Sequence, residues 1–168
     1  RCGTGLDSVD LQAASRLGID VFNTPDAPTQ AVAELTIAHM LNSLRHISTT
    51  DSNMRSGKWT PTMGSLLATK TVGLIGVGRI GSAVAKLAQA FGARVIGFDP
   101  VVNSHNSVEL LSLDEVLNQS DIVSLHVPIN DQTHHIVNAS AISRMKPGSI
   151  VVNVSRGGLI DESALHDA

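Results

Sequence analysis

"GLIGVGRIG", residues 73–81, places glycines at 76, 78 and 81, the spacing G-x-G-x-x-G. Alone the pattern is weak in a chain that holds 14 glycines. Its surroundings decide the reading. The apolar run "TVGLI" leads into it, and an amphipathic helical pattern follows. Asp99 then closes the next apolar run, 18 positions after Gly81. A strand, a glycine turn, a helix and a downstream acid are together the fingerprint of a dinucleotide-binding βαβ unit. Gly76 permits the tight turn, Gly78 lets backbone approach a diphosphate, and Gly81 lets helix and strand pack closely. The helix start adds unpaired N–H groups and the positive end of its dipole. A carboxylate at Asp99 can accept hydrogen bonds from both ribose hydroxyls and would repel a 2′-phosphate. The expected cofactor is therefore NAD rather than NADP.

The pattern repeats outward from this turn. Residues 71–77, 93–98, 121–127 and 149–155 form short, Val- and Ile-rich runs that are nearly continuous in apolar character. Such runs read as parallel strands covered on both faces. Helical patterns lie between them. Residues 79–92 carry Ile80, Val84, Leu87 and Phe91 on one side and stop at Gly92. Residues 112–119 open with Ser112 and carry Glu115 three positions on, a capping box. Residues 138–148 end at the Pro147-Gly148 breaker, and the final residues read as the start of another helix. Strand and helix in alternation predict an α/β fold with a doubly wound parallel sheet of the Rossmann type. Upstream, residues 29–47 predict one long helix with Val32, Leu35, Met40, Leu44 and Ile47 as its apolar positions. Residues 18–23 predict a further strand, and the proline-containing stretch 23–29 a linker. We find no internal repeat.

Composition narrows the class. The chain has 168 residues, 42% of them hydrophobic but only 2% aromatic, so aliphatic side chains and alanine must build the core. The formal net charge is −3 and no Lys/Arg run exists, which argues against nucleic acid or an anionic membrane as partner. No apolar run approaches the about 18 residues of a membrane helix. The single cysteine, Cys2, excludes an internal disulfide and fits a reducing cytoplasm. No metal-ligand constellation emerges, and no G-x-S-x-G motif supports acyl transfer.

The stretches "RCGTGLDSVDLQAA", "GIDVFNTP", "AVAELTIAHML", "GKW", "KTVGLIGVGRIG", "FDP", "SDIVSLHVP" and "MKPGSIVVNVSRGGLIDESAL" resemble the D-2-hydroxyacid dehydrogenases, most closely their D-3-phosphoglycerate dehydrogenase branch. The resemblance covers essentially the whole chain. It implies that Arg156 is the catalytic arginine, gripping the carboxylate and carbonyl of a 2-oxo acid; a planar guanidinium suits that task. It implies that the Arg79 and Ile80 amides meet the pyrophosphate, that Val127 contacts the adenosine half while Pro128 shapes its loop, and that Val154 lies toward the nicotinamide. Thr4 is implied near nicotinamide and substrate, with Cys2 and Gly3 offering amides to the substrate carboxylate. The implied reaction transfers a hydride between NAD and a small 2-hydroxy acid, with 3-phosphoglycerate as first candidate and a homodimer as the assembly.

The resemblance further implies a split layout. Residues 1–26 correspond to the tail of a flavodoxin-like substrate domain, and residues 27–168 to an incomplete NAD-binding domain that lacks its sixth strand. The family's acid/base histidine and its orienting glutamate fall after "RGGLIDESAL". None of the seven histidines present takes that role; among them, His126 lies in the adenosine-side loop, His134 and His135 in a polar loop, His39 and His46 on the long helix, and His166 near the last residue. The expectation is a chain that binds NAD without turning over substrate unaided. Ser8 and Thr69 depart from the family pattern, and the loop at 100–113 is short enough that a small helix or strand is expected to be missing there. Two other readings stay open: a relative acting on glyoxylate, hydroxypyruvate, lactate or phosphite, and a non-catalytic NAD sensor resembling dinucleotide-controlled corepressors.

Overall fold

A computed structural model describes residues 1–168. At its centre lies the predicted unit: β1 (Thr71–Ile75), the glycine turn, α4 (Arg79–Ala90) and β2 (Arg94–Phe98). The chain then adds β3 (Glu109–Leu110), α5 (Leu113–Gln119), β4 (Ile122–Leu125), α6 (Ala139–Ile142), β5 (Ile150–Asn153) and α7 (Glu162–His166). The five strands form one sheet in the order β3-β2-β1-β4-β5, and every pairing is parallel. The order runs outward both ways from β1, as in the doubly wound dinucleotide-binding fold.

Alternation along the strands sorts their side chains onto two faces. Val72 and Leu74 of β1 and Ile122 of β4 join one core, which also holds Ala33, Met40 and Leu44 upstream and Val84, Ala85 and Ala88 of α4. Ile75, Val123 and Leu125 point to the other face, where they meet Leu117, Val137, Ala141 and Leu159. Aliphatic residues and alanine fill both layers, as the composition demanded. The capping box forms as expected: Glu115 N–H donates to Ser112 Oγ and Ser112 N–H to Glu115 Oε2 at 2.9 Å. Gly92 ends α4 in the left-handed region, with φ +86°.

Four expectations change. The long helix read over 29–47 is α2 (Thr29–Arg45), which stops two residues early at His46, whose φ of 55° is left-handed, and a further helix, α3 (Ile47–Arg55), follows. The side-chain oxygen of Asn42 accepts the Ser48 N–H at 2.8 Å and fastens this break. Leu35 and Ile47, read as apolar positions of the long helix, are exposed, as are His39 and His46. Residues 18–23 make no strand, because no neighbouring ladder reaches them. They are held by the Arg1 ammonium on the Phe22 carbonyl and the Thr24 N–H on the Gly3 carbonyl. The loop at 100–113 keeps its small strand, β3, which pairs with Ile96 and Gly97. The helix expected over 138–148 is the single turn of α6. A short α1 (Leu11–Arg16), N-capped by Asp10, completes the N-terminal segment.

Candidate functional site

Parallel sheets of this kind bind ligands beyond the carboxyl ends of their strands, where the strand order reverses. A cleft of about 970 Å³ opens there, between residues 1–12, the 25–32 stretch and the ends of β1, β4 and β5. Gly3, Thr4, Gly78, Arg79, Ile80, Val127, Pro128, Val154 and Arg156 all line it. The chain therefore gathers most of the residues singled out from sequence, some of them about 150 positions apart, on one cavity.

The three glycines do different work. Gly76 has φ +99°, and a Cβ there would meet the His126 carbonyl at 2.7 Å. A Cβ on Gly81 would strike the Gly76 carbonyl oxygen. Gly76 and Gly81 therefore stand behind the cleft wall and set the turn. Gly78, the N-cap of α4, faces open space and would meet nothing within 4 Å. That is the surface a diphosphate needs: backbone amides with no side chain in the way. Arg79 turns its Nε to Asp26 Oδ1 at 2.7 Å, so the stretch read as a linker is pinned to the start of α4.

Asp99 sits at the end of β2, as expected, but it does not line the cleft. Its Oδ2 accepts the Val77 N–H at 2.8 Å, and its Oδ1 accepts those of Val101 and Val102 at 2.9 and 3.0 Å. Partial burial raises this carboxyl, the three N–H bonds lower it, and the net shift is downward. Asp99 is thus a brace of the glycine turn as well as a candidate ribose acceptor.

Arg156 follows β5 at the cleft wall. The Asn153 amide donates to the Arg156 carbonyl at 2.9 Å, and Asn153 Oδ1 accepts the Ser155 N–H at 3.0 Å, which fixes the backbone. The guanidinium meets Asp7, Nε to Oδ2 at 2.9 Å and Nη2 to Oδ1 at 2.7 Å. Each partner favours the other's charge: Asp7 raises the Arg156 pKa, and the Arg156 guanidinium holds the Asp7 carboxyl down to about 2. Sequence reading missed Asp7. No spacing rule links residues 149 positions apart, and the one local hint is the glycine pair in "GTGLD".

His126 is the one histidine on the cleft. Its Nε2 lies 2.9 Å from Ser124 Oγ, while its Nδ1 is shielded and has no partner. The residue keeps some surface at the cleft, but its inner ring nitrogen is dry, and burial pushes the imidazole down to about 4. The remaining sequence-derived residues sit at the N-terminal segment. Thr4 donates its hydroxyl to the Pro25 carbonyl at 3.1 Å. The Gly3 N–H, expected to face a carboxylate, already donates to Thr24 Oγ1 at 2.8 Å. Cys2 is exposed and lies outside the cleft wall.

Fold and site together define a dinucleotide-binding α/β domain. Residues 37–168 match the NAD binding domain of the D-isomer specific 2-hydroxyacid dehydrogenases, and the chain belongs to that family. It is 46% identical over 170 residues to a hydroxypyruvate reductase of Thermotoga maritima, covering 99% of this chain and 56% of that one. It is 42% identical over 175 residues to a D-3-phosphoglycerate dehydrogenase of Methanocaldococcus jannaschii, covering 100% of this chain and 33% of that one. A D-lactate dehydrogenase of Aquifex aeolicus, solved with NAD and lactic acid, superposes with a TM-score of 0.90 at 35% identity, over 99% of this chain and 52% of that one. The chain thus spans about half, or a third, of the length of these relatives.

Proposed function

We propose that this chain is the cofactor-binding portion of an NAD-dependent dehydrogenase that interconverts a D-2-hydroxy acid and its 2-oxo acid. One observation carries the reading: the glycine turn and Arg156 open onto the same cleft. The amides at the start of α4, beside the bare Gly78, hold the diphosphate. Asp99 faces the adenosine ribose once a hydroxyl exchanges with one of its backbone donors. Val127, Pro128, Val154 and Ile80 wall the cleft and exclude water. Bound NAD supplies the hydride acceptor at its nicotinamide ring. Arg156 grips the acid and stabilises charge on the reacting oxygen.

The substrate we favour is 3-phosphoglycerate, oxidised to 3-phosphohydroxypyruvate in the direction of serine biosynthesis. The 46% identity to a hydroxypyruvate reductase supports a second reading, reduction of hydroxypyruvate or glyoxylate. We also propose a homodimer, built on the exposed Leu35, Ile47, Met54, Trp59, Met63 and Leu66 of α2, α3 and the segment after them. The lone Cys2 supports work in a reducing cytoplasm.

Titration with NAD and NADP tests the cofactor half of the proposal. NAD is expected to bind more tightly, and equal affinity for the two would refute the role of Asp99. A panel of D-2-hydroxy acids and 2-oxo acids tests the substrate half. Turnover of hydroxypyruvate without turnover of 3-phosphoglycerate selects the second reading.

A further inference from the structure

An arginine offers five N–H donors in a rigid plane. Three of those of Arg156 are used within the chain. Nε and Nη2 each donate to one oxygen of Asp7, and Nη1 donates to the Ser155 carbonyl at 3.0 Å. One further N–H remains on each terminal nitrogen, outside the Nε–Nη2 edge that Asp7 occupies. Two such N–H groups suit the two oxygens of a carboxylate, or one carboxylate oxygen and the adjacent carbonyl of a 2-oxo acid.

The local sequence protects this arrangement. A Cβ on Gly5 would collide with Arg156 Nη2 and approach Asp7 Oδ1 at 2.6 Å. Gly5 therefore clears the space in which the two side chains meet. Asp7 lies on the N-terminal wall of the cleft and Arg156 on the sheet side. The ion pair bridges the two walls.

We infer that Asp7 is the positioning residue of Arg156: it takes the Nε edge of the guanidinium and turns the remaining pair of N–H groups toward the acid to be bound. The inference deepens the proposed function and rests on it. In this arrangement Asp7 holds the guanidinium and leaves the acid to the other N–H groups. An unheld arginine side chain would sample several rotamers and bind the acid with a smaller fraction of its population.

The test uses the protein loaded with NADH and oxamate as a 2-oxo acid probe, followed by nucleotide fluorescence. Asp7→Asn is expected to leave NADH affinity within about twofold while weakening oxamate by about tenfold, the worth of one charged hydrogen bond. Asp7→Glu, which keeps the charge, is expected to recover part of that loss. Gly5→Ala, which crowds the pair, is expected to resemble Asp7→Asn. Unchanged oxamate affinity in Asp7→Asn, alongside its loss in Arg156→Lys, overturns the positioning role and leaves the proposed function standing. Unchanged oxamate affinity in Arg156→Lys removes the proposed role of Arg156, and the inference with it. Parallel loss of NADH and oxamate binding with a lowered melting temperature makes the pair purely structural and also overturns it. A measurement on the unmutated protein stands beside the variants. In ¹⁵N spectra, oxamate should shift the Arg156 Nη signals and leave the Nε–H signal in place. Movement of Nε–H would mean that the acid displaces Asp7, which contradicts the inference.

Discussion

Within the glycine turn, three residues of one type carry separate loads, and the same substitution should separate them. Gly78→Ala meets no neighbour and costs at most about 1 kcal/mol as a poorer N-cap. It should nonetheless weaken NAD binding about tenfold, because a methyl group intrudes where amides meet phosphate. Gly81→Ala drives a methyl group into the Gly76 carbonyl, so it should lower stability by about 1–3 kcal/mol before binding is considered. Thermal melts and NAD titrations of the two variants check the contrast. Asp99 carries two duties at once. Asp99→Asn should relax the NAD preference and also loosen the turn, since its one amide oxygen can keep either the Val77 N–H or those of Val101 and Val102, and not both sides. His126 sets an acid limit. Its folded-state pKa is about 4 against an ordinary 6.5. Above pH 6.5 it is neutral in both states and contributes nothing. As pH falls from 6.5 toward 4, only the unfolded chain takes the proton, and stability drops by up to about 3 kcal/mol. Asp7, Asp99, Glu115 and Asp121 are shifted downward, so what they contribute is lost only as pH falls below their ordinary values of 3.8 to 4.5. Urea unfolding at pH 7 and pH 5 should show the loss, and His126→Gln should remove most of it.

Among the helices and strands, the break at His46 has the clearest physical cause. A left-handed residue with a Cβ costs about 1 kcal/mol, and glycine relieves it. His46→Gly should therefore raise the melting temperature slightly, while a proline there should lower it. Helix α4 rests against α2, and Ala85 and Ala88 of α4 share one core layer with the fully buried Met40 of α2. Met40→Ala should cost about 2–5 kcal/mol in chemical denaturation. The two-residue β3 survives because parallel pairing to Ile96 and Gly97 satisfies its backbone on one side. Its ion pair, Glu109 with Arg94 at 3.2 Å, is exposed and adds little.

For the molecule as a whole, the unpaired feature is the apolar surface of α2, α3 and the segment after them. Trp59 is 80% exposed and Met63 93%. Large apolar side chains exposed together on one stretch of chain are the kind of surface that supports association. Sedimentation velocity should report a dimer, with Trp59 emission blue-shifted relative to a monomeric variant. Met63→Glu combined with Leu35→Glu should yield that monomer with NAD affinity retained. A monomeric parent protein would remove the dimer from the proposal.

The central strand–turn–helix unit, its partner strands and the cofactor class were legible from residue order, because each strand is marked by its own short apolar run and the glycine turn by a unit of about 30 residues. Backbone freedom at Gly76, burial on both faces of β1 and the capping box at Ser112 are properties of short stretches. The break at His46, the lost strand at 18–23 and the pairing of β3 were not legible. Helical periodicity continues through a left-handed residue, and an extended run becomes a strand only if a ladder lies beside it. Two duties were settled by the folded chain alone. Asp99 is tied to the amide of Val77, and Asp7 holds Arg156, because a carboxylate binds whichever donors folding brings within about 3 Å, however far apart they lie along the chain.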